Sequence, residues 1–454
     1  MAEVIHPRKS LSINPLKMSQ PLGGAMAFMG IEGCMPLLHG SQGCTAFGLV
    51  LLVRHFREAI PFQTTAMNEI TTILGGVENL EQACLNIYKR TNCKVIGVCT
   101  TGLTETRGED LKGDLKLIRQ RHPELAGVEI VYVPTPDFAA ALEMGWGKAV
   151  TAMVEQIVQP SLGATEGQIN ILAGSHLTPG DIEEIRDLVE SFGLTPIVLP
   201  DLAGSLDGHV PDQYMGTTYG GTTVEDIRAM GRSEFTIAIG RQMGHAAAAL
   251  EAKANVPFEV LERLTGLNAV DQFIGLLQRL SGRSAPARIR RQRSQLLDAM
   301  LDGHFYFGNT PVAVAAEPDL LFAMTSWLTE MGAKVVAAVT SMESPILEKI
   351  PVEQVVVGDM DDLERAAAAA HARLLMTHSH GRMSAERLGV PLFRVGFPMF
   401  DRLGAAHRRT VGYRGTRDLI FEVGNLLIEH SHEAAPDDWT IPESEDAHAT
   451  ATTH

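Results

Sequence analysis

The chain has 454 residues, with 38 basic and 54 acidic side chains, and its net charge is −16. Hydrophobic residues make up 45% and charged residues 20%, which is typical of packed domains and excludes a disordered or fibrous chain. The acidic surface should repel nucleic acid and anionic lipid, so we expect neither as a partner. No apolar run approaches the ~18 residues of a membrane span, and the first residues lack the pattern of a signal peptide. Five cysteines are too few for a disulfide scaffold, so we expect a cytoplasmic protein.

Short runs rich in Val and Ile recur along the chain, and stretches with helical periodicity such as Gly180–Phe192 separate them. Continuous apolar runs are typical of strands that are covered on both faces, as in parallel sheets. The predicted strands are Lys94–Cys99, Val128–Pro134, Ile169–Ala173, Pro196–Leu199, Phe235–Ile239, Val312–Ala315, Lys334–Val339, Gln354–Val357 and Arg373–Met376. Alternation of strands and helices predicts an α/β fold with three Rossmann-like domains, each a parallel sheet flanked by helices.

Two segments rich in Gly, Pro and Ser, Gln159–Gly167 and Gly282–Pro286, mark candidate domain seams. The end of the chain holds many acidic and small residues without Lys or Arg, which predicts disorder. The predicted organisation is an N-terminal α/β domain with a glycine-rich segment (residues 1–165), a second α/β domain (166–300), a third (301–430) and a disordered acidic tail (431–454).

The common catalytic signatures are absent: no Walker loop, dinucleotide fingerprint, zinc-protease motif, C-x-x-C pair or nucleophile elbow occurs. The most unusual stretch is glycine-rich and runs from Ile13 to Gly48, and it contains HGSQGC just before an apolar helix predicted over Thr45–Phe56. Gly43 and Cys44 therefore lie at or just before a helix N-terminus, where free N–H groups and the helix dipole stabilise a thiolate or an anionic metal cluster. A buried cysteine in a tight turn is the alternative.

The other cysteines favour structural roles. Cys84 lies on the apolar stripe of a predicted helix, and Cys93 and Cys99 flank a predicted strand, so burial in the core is expected for all three. Cys34 precedes Cys44 by ten residues and could approach it, but that spacing is no recognised ligand pattern.

The sequence leaves the roles of two polar clusters undecided. Five arginines within Arg283–Arg293 suit either an anion-binding surface or, more simply, a solvated helix start. His378 and His380 follow a predicted strand, where ligands of α/β sheets often bind, so a metal role and an ordinary polar loop are both open.

Several motifs, in the same order, resemble the β-chain branch of the nitrogenase component 1 family. They cover nearly the whole chain before the acidic tail, and HGSQGC together with GFPxFDR is specific. The motifs are INPLKMSQPLGGAMAFMGIEG, LLHGSQGC, NEITTILGGVENL, CTTGLTETRGEDL, LPD at Leu199–Asp201, LLDAMLDGHFYFG at Leu296–Gly308 and VGFPMFDR at Val395–Arg402.

The resemblance has one informative departure. Catalytic β chains supply three cysteines to a large shared cluster, and Cys44 matches one of them, whereas Ser19 and Gly102 occupy the positions of the other two, with Cys99 three residues too early. A single remaining thiolate resembles the branch of iron–molybdenum cofactor biosynthesis proteins, which pair with a NifE-type α subunit. For that branch the resemblance implies a [4Fe–4S] cluster shared between subunits, with Cys44 as metal ligand and Gly43 beside it.

The resemblance also implies a scaffold role in an α2β2 heterotetramer. An iron–sulfur precursor, held mainly in the partner, would receive molybdenum and homocitrate there before transfer to apo-dinitrogenase, and the nitrogenase Fe protein would dock transiently. No catalytic residue is assigned to this chain, and dinitrogen reduction by it is not expected. The alternatives are a catalytic β-type subunit of a nitrogenase-like reductase, acting on dinitrogen or protochlorophyllide, and a metal-free binding protein.

Overall fold

The computed structural model describes residues 1–9, 11–161, 163–210 and 212–430, and the predicted acidic tail (431–454) lies outside them. The strands, numbered in chain order, are β1 Glu3–Ile5, β2 Cys34–His39, β3 Gln63–Thr64, β4 Val95–Thr100, β5 Glu129–Val133, β6 Gln168–Leu172, β7 Thr195–Leu199, β8 Phe235–Ile239, β9 Phe258–Leu261, β10 Pro311–Ala315, β11 Lys334–Thr340, β12 Gln354–Val357, β13 Leu374–Thr377 and β14 Leu392–Arg394.

Sixteen α-helices separate these strands within the described residues. They are α1 Gln20–Phe28, α2 Gln42–Phe56, α3 Glu69–Leu74, α4 Val77–Thr91, α5 Gly102–Arg107, α6 Leu111–Arg121, α7 Leu142–Ile157, α8 Pro179–Ser191, α9 Val224–Ala229, α10 Gly244–Ala254, α11 Leu267–Ser281, α12 Ala287–Phe307, α13 Pro318–Glu330, α14 Met360–Ala369, α15 Arg382–Leu388 and α16 Gly412–Glu429. In the described part of the chain no helix combines the length and the apolar character needed to cross a membrane.

The strands form three parallel sheets. The first has the order β3-β2-β4-β5, the second β7-β6-β8-β9 and the third β1-β12-β11-β10-β13-β14. Every strand predicted from a continuous apolar run is present, and central strands such as β4 are buried along their whole length. Burial on both faces is the reason that these strands carry no alternating pattern.

Five strands were not predicted, because they are short or interrupted. β2 contains Pro36, and β1, β3, β9 and β14 have between two and four residues each. β1 pairs with β12 and so adds the N-terminus of the chain to the third sheet. The predicted boundary at residue 300 falls inside α12, and the domain boundaries themselves stay predictions.

Helices α1 and α7 cross at backbone contact because each has glycine at the crossing. A Cβ atom on Gly23 would lie 1.9 Å from the carbonyl oxygen of Leu142, and one on Gly145 would lie 1.8 Å from that of Gln20. Trp146, fully buried on α7, donates its indole N–H to the carbonyl oxygen of Ala173 at 2.9 Å. The glycines of both helices therefore serve close packing, which holds α1 between α7 and the first sheet.

Candidate metal centre

Cys44 lies at an exposed helix N-terminus, as predicted. Helix α2 begins at Gln42, three residues earlier than the pattern indicated, with Ser41 as its N-cap. The Ser41 hydroxyl does not cap the helix and lies 3.6 Å from the Cys44 sulfur instead. The first backbone N–H groups of α2 are thus free to face a negative charge beside this thiol.

The other four cysteines are buried, so Cys44 is the one exposed thiol among the described residues. Burial raises the pKa of Cys34 and Cys99 and raises the pKa of Cys84 to about 12, which keeps these thiols protonated. Cys34 begins β2 whereas Cys44 lies beyond the end of that strand, so roughly 16 Å of strand separates them. The core roles predicted for Cys84, Cys93 and Cys99 agree with their burial.

The turn that precedes Cys44 is fixed by close backbone contacts. A Cβ atom on Gly40 would lie 2.4 Å from the hydroxyl oxygen of Thr101, so this position has room only for glycine. Thr101 and Thr104 donate their hydroxyls to the carbonyl oxygen of His39 at 3.1 and 3.2 Å. Gly43, in contrast, faces open space, since a Cβ atom added there would have nothing within 4 Å.

His39, the first residue of HGSQGC, stabilises this turn through its buried side chain. Its side chain is fully buried, with Nδ1 3.0 Å from the Thr65 hydroxyl and Nε2 3.1 Å from a carboxylate oxygen of Glu109. Burial lowers the pKa of His39, and the hydrogen bond to Glu109 opposes that shift. His39 is therefore a structural residue, and the motif leaves only its cysteine free to bind a metal.

The VGFPMFDR segment holds the far end of α2. The backbone N–H of Met399 donates to Nδ1 of His55 at 2.9 Å, and Arg57 donates to the carbonyl oxygen of Phe400 at 3.2 Å. The guanidinium of Arg54 lies 4.5 Å from the centre of the Phe400 ring. Burial lowers the pKa of His55 to about 3, so its imidazole is neutral and accepts this bond. The two most specific motifs thus meet on one helix.

A cavity of about 380 Å³ opens beside Cys44. Its wall combines segments that are distant in sequence: the α1 approach with Ser19, the loop after β5 with Asp137, the helix α2 with Cys44 and Phe47, and the turn after β13 with His380. Asp137 and His380 each have a buried side-chain atom, Oδ1 and Nδ1 respectively, without a hydrogen-bond partner. Buried polar atoms without a partner are uncommon in folded proteins, so these two residues stand out within the cavity wall.

Ser19 and Gly102 border the same region. The resemblance places two cysteines of the catalytic relatives at these positions. Ser19 is exposed on the cavity wall. The backbone N–H of Gly102 is 3.4 Å from a carboxylate oxygen of Asp137, and a Cβ atom at Gly102 would meet that side chain at 3.6 Å. Neither position offers a thiolate, and a side chain at Gly102 would fit at ordinary contact distance.

Large apolar side chains are exposed around this cavity. Phe47 and Val50 on α2 are 67% and 52% exposed, and Phe138, which lies next to Gly102, is 70% exposed. Ile73 and Leu74 on α3, which does not line the cavity, are also more than three-quarters exposed. An apolar surface that surrounds a lone thiol is typical of a protein–protein interface.

One member of each remaining polar cluster, His378 and Arg293, has structural partners. His378 is buried, and its Nε2 lies 3.4 Å from the carbonyl oxygen of Leu16. In the arginine cluster, which spans the start of α12, Arg293 donates three hydrogen bonds to the carboxylate of Asp271, from Nε and Nη2, and Tyr413 donates to the same carboxylate at 2.6 Å. Of the histidines and arginines in these two clusters, only His380 lines the cavity. His55, which binds the VGFPMFDR segment, and Asp137, which lines the cavity, were not indicated by the sequence.

Comparison with known proteins identifies the class of fold. The family described as "Nitrogenase component 1 type Oxidoreductase" matches residues 19–428. A chain of the structure "Nitrogenase Cp1 at pH 6.5" superposes with a TM-score of 0.90 at 31% identity, over 97% of this chain and 98% of that chain. A chain of "Nitrogenase Cp1 at pH 5" has the same fold at 14% identity, with a TM-score of 0.72 over 93% of this chain and 90% of that chain. The predicted α/β fold of parallel sheets flanked by helices is confirmed.

Nearer relatives carry a single name, "Nitrogenase iron-molybdenum cofactor biosynthesis protein NifN". The protein of Bradyrhizobium diazoefficiens is 57% identical over 97% of this chain and 95% of its own length. That of Nostoc is 51% identical over 94% and 96%, and that of Klebsiella pneumoniae is 39% identical over 96% and 95%. The chain therefore belongs to the nitrogenase component 1 family and, within it, to the group of NifN proteins, which confirms the resemblance read from its motifs.

Proposed function

We propose that this chain is one subunit of a scaffold on which the iron–molybdenum cofactor of nitrogenase is matured before transfer to apo-dinitrogenase. On this scaffold molybdenum and homocitrate enter an iron–sulfur precursor, which the NifE-type partner mainly holds. The name of the relatives supports the assignment to cofactor biosynthesis. The observation that carries the proposal is the exposure of one thiol, Cys44, on an apolar surface while the other four thiols are buried.

The proposed resident group is a [4Fe–4S] cluster shared with the partner chain. A cubane of this type takes about four thiolates, so Cys44 would supply one and the partner three. When bound, such a cluster can accept and donate one electron at a time. The residues of this chain contribute the thiolate, the free N–H groups at the start of α2, and apolar cover from Phe47 against water.

The catalytic alternative is disfavoured by the side chains beside Cys44. An eight-iron cluster needs further thiolates from this chain, but Ser19 and Gly102 stand at the two positions where the resemblance expects them. The donor set of the cavity therefore suits one ligand to a small cluster and does not suit the larger one. No residue is assigned a catalytic role.

The exposed apolar side chains support an α2β2 heterotetramer with a NifE-type subunit. The surface around Cys44, with Phe47 and Phe138, would be covered by that subunit. A second apolar stripe runs along α12, where Leu297, Leu301 and Phe305 recur at every fourth residue and are 38%, 71% and 83% exposed. Two separate surfaces suit an αβ pair that then doubles about a two-fold axis. The Fe protein would dock on this assembly transiently, and the unpaired thiols suit a reducing cytoplasm.

Iron and acid-labile sulfide analysis of the co-purified complex tests the proposal. We expect Cys44→Ala to lose most of the interface iron, because the substitution leaves one iron of the cluster without a thiolate ligand. Cys84→Ala and Cys93→Ala serve as matched controls, since both thiols are buried and should leave the iron content unchanged. Equal loss in all three variants, or equal retention, would contradict the role of Cys44, and a wild-type complex without iron would favour a metal-free binding protein.

A further inference from the structure

His380 reaches the cavity of Cys44 from a different sheet. It lies in the turn that follows β13, at the carboxyl end of that strand, and lines the cavity together with Cys44 and Phe47. The third sheet therefore contributes a side chain to a site whose thiol comes from the first sheet. A histidine in such a place either fills space or presents a ring nitrogen to whatever occupies the cavity.

The ring of His380 is held in one orientation. Its centre lies 5.2 Å from the centre of the Phe400 ring and 5.1 Å from that of His378, which meets it edge to face. The backbone N–H of His380 donates to Nδ1 of His378 at 3.3 Å. Phe400 is itself packed under Arg54 of α2. The imidazole is thus fixed relative to the helix that carries Cys44.

The two ring nitrogens of His380 have different surroundings. Nδ1 is closed off from solvent and has no hydrogen-bond partner. A neutral imidazole carries its proton on one nitrogen only, and buried N–H groups without a partner are rarer than buried acceptors without one. Burial, with a contribution from Arg54, lowers the pKa of His380, which favours the neutral ring. The proton therefore belongs on Nε2, the other nitrogen of a ring that lines the cavity.

We infer that His380 is a positioning residue for the shared cluster, donating a hydrogen bond from Nε2 to one of its sulfur atoms. The inference rests on the proposed function, since it presumes a cluster at Cys44. Hydrogen bonds to the sulfurs of an iron–sulfur cluster stabilise the reduced, more negative state and so raise its reduction potential. His380 would set the potential at which the cluster accepts an electron, and Cys44 would hold the iron.

A redox titration of the heteromeric complex, followed by electron paramagnetic resonance, tests this role. We expect His380→Leu, which fills the same space without a donor, to lower the ratio of reduced to oxidised cluster about tenfold at a fixed potential, equivalent to ~59 mV for a one-electron couple. His380→Gln keeps a donor near the position of Nε2 and should restore at least half of that shift. Both variants should retain the iron content of the wild type.

Three results would overturn the inference. An unchanged potential in His380→Leu would show that the ring makes no such bond. A shift of equal size in His380→Gln would mean that packing or water access, not the N–H group, sets the potential. Loss of iron like that in Cys44→Ala would make His380 a ligand instead. A wild-type complex without a [4Fe–4S] spectrum would overturn the proposed function first, and the two failures are therefore distinguishable.

Discussion

The contact between His55 and the VGFPMFDR segment should make the attachment of α2 sensitive to acid. His55 accepts the backbone N–H of Met399 in its neutral form, and burial lowers its pKa to about 3 from an ordinary value of 6.5. When this contact opens, the imidazole regains the ordinary pKa and takes up a proton. Because the open state binds more protons, the free energy of opening rises with pH and falls as the pH drops below about 6.5.

The size of this effect follows from the two pKa values. At pH 5.5 an exposed imidazole is about ten times more protonated than neutral, whereas at pH 7.5 it is almost entirely neutral. The free energy of opening should therefore fall by about 1.4 kcal/mol between pH 7.5 and 5.5, which corresponds to a tenfold increase in the opening equilibrium. Buried carboxylates such as Glu317, whose pKa is raised to about 7, act in the opposite direction and must be cancelled by a control.

His55→Asn is that control, because its amide oxygen can accept the N–H of Met399 but does not titrate. Hydrogen-exchange mass spectrometry of the peptide that spans Val395–Arg402, corrected for intrinsic exchange, measures the opening in both proteins. We expect the ratio of opening equilibria, wild type over variant, to rise about tenfold from pH 7.5 to 5.5. A ratio that does not change with pH would refute the role assigned to His55.

Three further outcomes follow from the structure. Gly40→Ala should displace the turn before Cys44, because its Cβ would lie 2.4 Å from the Thr101 hydroxyl, and should cost about 1–3 kcal/mol and much of the interface iron. Gly127→Ala, at a position outside this turn where an added Cβ atom meets open space, should change neither, and iron loss in both variants would contradict this role of the turn. Leu301→Asp should convert α2β2 complexes to αβ pairs in light scattering, with the interface iron retained, whereas an unchanged mass would remove α12 from the interface. With Fe protein and ATP supplied, the complex should produce negligible ammonia, and sustained production would return the chain to the catalytic branch.

Much of the fold could be predicted because its strands are buried on both faces. The apolar runs of β4 and β8 have no competing interpretation at their length, whereas the three residues of β1 are recruited by pairing with β12, a contact that no local pattern indicates. The two-residue strand β3 exists only through its pairing with β2. Tertiary contacts that join distant segments were therefore the main source of missed elements.

The candidate site could be predicted only in part, because some of its residues also come from segments that are distant in sequence. The glycine-rich turn and the helix start at Cys44 are local features, so the sequence indicated them directly. The side chains that complete the cavity, Asp137 and His380, come from loops that only the folded chain brings together. Asp137 carried no signal in the sequence, whereas His380 was noted after a predicted strand but could not be linked to Cys44 without the folded chain.

Mössbauer and paramagnetic resonance spectroscopy of the wild-type complex, purified without the cofactor precursor, is the decisive test of a one-thiolate half-site. We predict about four iron atoms per αβ interface with the spectrum of a single [4Fe–4S] centre, because this chain offers one accessible thiolate, Cys44, and three must come from the partner. An eight-iron cluster at that interface, or an interface with no iron at all, would contradict it.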